Sequence, residues 1–379
     1  MSSLNRYTRK EINGQPALWK SVYELLLSKE REAEAFLTPI LNVPQIQIVL
    51  SGAGSSAFIG DAAQVFVQQH TGCFTKSVAT TDIVTHPQLY LPERIPTLLV
   101  SFARSGNSPE SLETVKLADS FCNEVYHLII TCNSEGELVR YTKENDRKSF
   151  ALLLPEEAND KSLAMTGSFT SMLFSVLLIF RKRRISTAKE EVDKIIAQGN
   201  KILEKQDCLK EIAAKDYERV VFLGSGSMLG IARESHLKLQ ELSDGQVICK
   251  YDSFLGFRHG PRAVTNEKTL MVYLFSPDDH VYQYERDLAV SIDNDLRNID
   301  CLSIGRKVDD TFKSSFSLDL NLVADEELNI VPTTLVGQLL GMYKSLDLGL
   351  DPDKPSKSGA ISRVVEGVTI YPYPKSLQA

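Results

Sequence analysis

Apolar and charged residues alternate at helical spacing through residues 4–37, where Leu18, Val22, Leu25 and Leu26 mark one face and predict a helix. Beyond it the pattern changes. Short apolar runs at residues 46–50, 98–102, 127–131 and 150–154 predict strands, and helical patterns such as residues 109–121 separate them. Strands alternating with helices predict a parallel, doubly wound sheet. An apolar helix at residues 169–180 and a charged helix at 187–212 follow. Then Val220-Val221-Phe222-Leu223-Gly224-Ser225-Gly226-Ser227 repeats the pattern of residues 48–55. A repeat at so long an interval means two copies of one domain rather than a solenoid, whose units run about 20–50 residues. The expected fold is therefore α/β, with two tandem doubly wound parallel-sheet domains, three-layer and Rossmann-like, at residues 46–185 and 216–379. An N-terminal helical segment (1–45) precedes them, and a connecting helix (186–215) joins them.

Composition narrows the partners. A hydrophobic content of 43% supports full cores, and a net charge of −7 excludes the basic footprint of a nucleic-acid binder. The one basic cluster, Arg181-Lys182-Arg183-Arg184, ends the apolar helix and is read as compensating its negative end. Six cysteines, at 73, 122, 132, 208, 249 and 301, show no paired spacing and read as buried, reduced thiols. The histidines are equally scattered, so neither a zinc cluster nor any other metal is expected. No apolar signal region opens the chain, and its most apolar run, residues 171–180, falls short of the roughly 20 residues that span a bilayer. A cytoplasmic protein without membrane partners is expected.

Two loops follow predicted strands and carry hydroxyls: Ser51-Gly52-Ala53-Gly54-Ser55-Ser56 and Ala103-Arg104-Ser105-Gly106-Asn107-Ser108. At a strand-to-helix turn, backbone N–H groups lack partners and the helix dipole favours an anion. Glycine allows close approach and serine adds adaptable donors, which suits a phosphate monoester. Either loop alone could simply be a tight turn; the pair favours a phosphate site at the strand ends. Neither has the Gly-Lys-Ser/Thr ending of a nucleoside-triphosphate loop. Gly52, Gly54 and Ala57 fit a loose dinucleotide fingerprint, yet residues 74–81 hold no ribose-binding carboxylate, so nucleotide binding is disfavoured. In the second half, Ser276-Pro277-Asp278-Asp279 places two acids where a phosphate would sit, leaving one phosphate site per chain.

The second half supplies groups for proton transfer. Glu234, Lys238 and Glu241 share a helical face, and His259 lies in the irregular loop Phe254-Leu255-Gly256-Phe257-Arg258-His259-Gly260-Pro261. A carboxylate and an imidazole are the pair needed to open a sugar ring and move a proton between adjacent carbons. A solvated salt-bridge ladder with a turn-capping histidine is the bland alternative.

These motifs, with Lys238-Leu239-Gln240-Glu241-Leu242-Ser243, Leu163-Ala164-Met165-Thr166-Gly167-Ser168 and Arg258-His259-Gly260-Pro261, resemble the sugar isomerase (SIS) domains. Their tandem arrangement is similar to the isomerase half of glucosamine-6-phosphate synthase, without its glutamine-hydrolysing domain. Within that superfamily the chain most resembles the tagatose-6-phosphate ketose/aldose isomerases, described as galactosamine-6-phosphate deaminases, over residues 46–372. The resemblance implies an enzyme that converts galactosamine 6-phosphate to tagatose 6-phosphate and ammonia without a cofactor. Simple aldose-ketose isomerisation and a non-catalytic sugar-phosphate sensor are the alternatives.

Carried over by position, the resemblance implies that Ser105 and Ser108 bind the sugar phosphate, with Gly54, Ser55 and Ser56 lining the pocket. Thr166 falls in a segment that closes over the sugar, Glu241 matches the carboxylate that shuttles the C1–C2 proton, and His259 matches the ring-opening histidine. Lys238 matches a lysine that contacts the open-chain sugar. Sites in the superfamily lie between subunits, which implies a homodimer and leaves open which subunit's pocket His259 serves. Two positions depart from the synthase. Arg104 replaces a glutamine and adds a cation able to fork onto phosphate, while Arg363 stands where the synthase has a lysine. Arginine stays protonated and forms no Schiff base, so a role for Arg363 is electrostatic.

Overall fold

Aliphatic runs with no room for a helix become strands, and among the described residues ten are present. The computed structural model describes residues 6–306, 312, 314–320, 327–364 and 367–374. In the first sheet, β1 (Gln47–Ser51), β2 (Phe74–Ser77), β3 (Thr97–Ala103), β4 (Val125–Thr131) and β5 (Ser149–Leu153) lie parallel in the order β2-β1-β3-β4-β5. In the second, β6 (Arg219–Gly224), β7 (Ile248–Asp252), β8 (Thr269–Leu274), β9 (Asp300–Gly305) and β10 (Phe316–Asp319) repeat that order as β7-β6-β8-β9-β10. The chain reverses its winding between β1 and β3, and again between β6 and β8. Ligands of open α/β sheets bind beyond the strand carboxyl ends at such switch points.

β1 and β3 are buried at every position, as strands covered on both faces must be. Alternation divides them: Val49, Leu99 and Ile129 face a core with Val115 and Ala118 of the helix Pro109–Phe121, while the helices Ser55–Thr71 and Gly167–Phe180 pack together elsewhere on the sheet. In the second sheet Val221, Leu223, Met271 and Tyr273 meet Tyr282, Leu288 and Ile292 of the helix Asp279–Asp293. The helices Ser227–Leu242 and Ile330–Asp347 pack closely; a Cβ on Gly337 would lie 2.5 Å from the Cβ of Ser235.

Contacts gather the described residues into two units. Leu18–Asn159, Gly167–Lys189 and the segment from Ile361 surround the first sheet. The segment up to Ala17, Asp160–Thr166 and Glu190–Ala360 surround the second. They are called the first and second lobes below.

Three expectations are corrected. The charged helix at 187–212 is instead a 3-10 turn, Ile185–Ala188, and two helices, Lys189–Glu204 and Gln206–Ala213, parted at Lys205. The irregular loop at 254–261 contains a one-turn helix, Phe254–Phe257, because the Ser253 hydroxyl accepts the Gly256 N–H at 3.0 Å and caps it. All six cysteines are free thiols, but Cys208 is exposed on its helix and Cys73 is half-buried, so burial does not hold for the whole set. Among the described residues no helix is long and apolar enough to cross a membrane.

Candidate active site

In the first lobe both hydroxyl loops leave the carboxyl ends of β1 and β3, at the switch point. Gly54 has φ 57° and ψ −129°, a conformation essentially confined to glycine, and it turns β1 into its helix. Gly52 is equally constrained, since a Cβ there would sit 2.5 Å from the Ser56 carbonyl carbon. Ser55 and Ser56 form the buried first turn of that helix, whose N-terminal dipole favours an anion. After β3, Ser105 accepts the Asn107 N–H through its hydroxyl oxygen at 3.3 Å, and Gly106 takes φ 67°. Ser108 precedes the helix Pro109–Phe121, its hydroxyl directed to Ser111 at 2.6 Å.

A second loop braces the first. Asn133 donates to the Ser105 carbonyl at 2.7 Å, and Asn107 accepts the Glu137 N–H at 2.9 Å. Arg104 is buried in this wall, where its guanidinium donates to the Arg363 carbonyl, and the Arg363 guanidinium donates to Asn159 at 2.8 Å. The two arginines singled out from opposite ends of the sequence are therefore neighbours.

In the second lobe the helix Ser227–Leu242 carries the acid–base candidates. Lys238 is 1% exposed, and its ammonium lies 2.6 Å from Glu241 and 3.5 Å from Glu234. Glu234 is fully buried, whereas Glu241 keeps 23% of its side chain in solvent. This is no solvated ladder. A lysine buried between two carboxylates holds its charge through them, and only Glu241 is open to a ligand. Glu234 carried a signal in its four-residue spacing from Lys238, yet spacing alone could not separate a buried partner from a surface one.

His259 stands apart. It is exposed two residues beyond the one-turn helix, and its backbone N–H donates to the Gly256 carbonyl at 3.0 Å. Gly260, at φ 110°, turns the chain directly after it. Among the described residues His259 makes no hydrogen bond or ion pair with Lys238 or Glu241. Thr166 is buried in the second lobe, its N–H and hydroxyl both donating to Asp160 at 2.8 Å. Asp160, which the sequence motifs did not mark, holds that segment in shape. Among the described residues no group of three or more His, Cys, Asp or Glu is placed to hold a metal.

Comparison with known proteins follows the same lines. The SIS domain family matches residues 41–182. D-galactosamine-6-phosphate deaminase AgaS of Shewanella sp. (strain ANA-3) is 39% identical over 377 residues, covering 97% of this chain and 92% of that protein. The crystal structure of tagatose-6-phosphate ketose/aldose isomerase from Escherichia coli superposes with a TM-score of 0.87 at 35% identity, covering 97% of this chain and 96% of the other. The C-terminal domain of glucosamine-fructose-6-phosphate aminotransferase from Francisella tularensis shares the fold, with a TM-score of 0.76 at 21% identity over 93% of this chain and 99% of the other. With more than a third of its residues shared across nearly its whole length, the chain belongs to the AgaS family of tandem SIS-domain proteins.

Proposed function

We propose that this protein is a deaminating isomerase that converts galactosamine 6-phosphate and water to tagatose 6-phosphate and ammonia. The observation that carries the reading is the buried Lys238 cluster, which leaves Glu241 as a partly exposed carboxylate, in a chain 39% identical to a D-galactosamine-6-phosphate deaminase. The phosphate rests on the strand-end turns of the first lobe, on Gly54, Ser55, Ser56, Ser105 and Ser108, with Arg104 and Arg363 supplying positive charge behind them. Phosphate binding positions carbons that are themselves remote from the phosphate.

His259 assists opening of the ring to the aldehyde. Glu241 removes the C2 proton to give an enolamine and returns a proton to C1, leaving an imine at C2. Water adds to that carbon, the C–N bond breaks, and the ketose and ammonia depart. Lys238, 2.6 Å from Glu241, holds that carboxylate in place. Thr166 belongs to a segment that shapes the pocket through Asp160. The working molecule is a homodimer in the cytoplasm, where six free thiols remain reduced.

Glu241→Gln tests the base. Ammonia release should fall by at least about a hundredfold, the contribution typical of general base catalysis, while a phosphorylated hexitol binds as before. Wild-type protein given a panel of hexosamine and ketose 6-phosphates should form ketose and ammonia in equal amounts. Ketose without ammonia would make it a plain isomerase, and binding without turnover a sensor.

A further inference from the structure

The two lobes are built alike, and the likeness exposes a difference at their strand ends. In the second lobe Gly226 has φ 56° and ψ −130°, against 57° and −129° at Gly54 in the first. Each turn opens at a switch point, beside the loop that follows the next strand, β3 in one lobe and β8 in the other. In the second lobe a carboxylate of the chain itself stands there. Glu285, fully buried on the helix Asp279–Asp293, accepts the Ser276 N–H just past β8 at 2.8 Å and a hydrogen bond from the Ser225 side chain just past β6. An amide and a serine hydroxyl at strand ends are the donors that the first lobe offers to phosphate.

The position is tied to the His259 loop by packing. Phe275, between β8 and Ser276, stacks on Phe254 at 5.5 Å and meets Tyr282 edge-on at 5.2 Å. Phe254 opens the one-turn helix that ends at the buried Phe257, immediately before Arg258 and His259.

We propose that Glu285 is a positioning residue: its carboxylate is the resident anion of the second lobe's strand-end cradle, drawing the Ser225 and Ser276 turns onto the helix Asp279–Asp293 and so fixing the aromatic floor from which the His259 loop projects. The catalytic part of this inference rests on the role proposed for His259; the structural part does not. A carboxylate in that place would itself keep a ligand phosphate out, adding to the repulsion expected from Asp278 and Asp279.

The charges around Glu285 set its behaviour. Burial pushes its carboxyl up to about 7, with the Ser276 amide, the Ser225 hydroxyl and the Arg306 guanidinium pulling down and Asp278 pushing further up. Arg306 also pairs with Asp279 at 2.9 Å and lies 3.9 Å from the centre of the Tyr282 ring. Once ionised, the carboxylate accepts from both turns; protonated, one of its oxygens becomes a donor and the grip loosens.

Carbon-13 labelling of glutamate carboxyls and of histidine rings in the full chain tests this without substrate. One glutamate signal should titrate near pH 7 in the wild type and vanish in Glu285→Gln. The His259 ring signal, assigned by its loss in His259→Asn, should show an inflection at the same pH that Glu285→Gln abolishes. In turnover, Glu285→Gln should lower kcat about tenfold with little change in KM, and flatten the pH profile around neutrality. Glutamate signals that all titrate in the ordinary carboxylate range, or a wild-type His259 signal without the shared inflection, would overturn the proposal; both are read on the wild type, even where the variant fails to fold. Coupled signals in a protein that turns over no sugar phosphate would uphold the positioning and remove only the functional reading.

Discussion

At the scale of single residues, Lys238 is the side chain with most at stake. An ammonium 1% exposed between Glu234 and Glu241 has given up its water, and the two carboxylates are what restore a favourable field. Lys238→Met removes the cation that lies 3.5 Å from the fully buried Glu234 and 2.6 Å from Glu241, so urea unfolding should show a loss of about 3–5 kcal/mol. Adding Glu234→Gln should recover about 1–3 kcal/mol, because the second substitution removes a buried charge that Lys238 no longer attracts. A double variant no more stable than Lys238→Met alone would mean that the three groups act independently. The same contact, 2.6 Å from ammonium to carboxylate, fixes where the Glu241 side chain stands.

At the scale of elements, the long helix Thr8–Leu41 shows a terminus secured from the far end of the chain. Asp353 accepts the N–H groups of Arg6, Tyr7 and Thr8 and the Thr8 hydroxyl, at 2.7 to 3.1 Å. Burial pushes the Asp353 carboxyl upward, but those donors outweigh it and hold the group below its ordinary 3.8. Stability from such a carboxylate is present above the unfolded value and lost as pH falls through the folded one. Asp353→Asn should therefore cost about 1–2 kcal/mol at pH 7, with faster amide exchange at Tyr7 and Thr8, and the gap from wild type should close below about pH 3.8. Periodicity found this helix, as it found the strands around Val49, Leu99 and Ile129, because continuous apolar runs leave little choice. It did not find β2, β7 or β10, edge strands of four or five residues whose Thr75, Lys250 and Ser317 interrupt the run, nor β9, which opens on Asp300 and carries Ser303. The strand-end loops were legible because glycine and serine have few reasons to cluster there. The link between Arg104 and Arg363 was not, since a contact across 259 positions leaves no trace in local spacing.

At the scale of the whole molecule, duplication has left two copies of one fold with different electrostatic fates, and global stability should record this in its pH dependence. Glu285 in the second lobe is raised to about 7, chiefly by burial. Glu11, also in the second lobe, is raised by burial and then by Asp160, against the Ser162 hydroxyl and the amides of Lys161 and Ser162. A carboxyl raised in the folded state contributes stability that is complete below the unfolded value, 4.5 for these residues, and is lost as pH rises through the folded value. His236 opposes them: burial lowers its imidazole below 6.5, so its contribution is lost as pH falls. The absolute profile is a sum of these, and the difference between wild type and a single variant isolates each. Wild type should lose on the order of 3 kcal/mol relative to Glu285→Gln between pH 4.5 and 8, an upper bound because water entering the site would moderate it. Glu11→Gln should show the same sign from pH 4.5 upward. The two glutamates share none of their named partners, so the double variant should equal the sum within about 0.5 kcal/mol. Urea unfolding at fixed pH values measures all three. A wild-type minus Glu285→Gln difference that stays constant across this range would mean that Glu285 is as ionised in the folded chain as in the unfolded one, and that the second cradle does not hold its anion away from water.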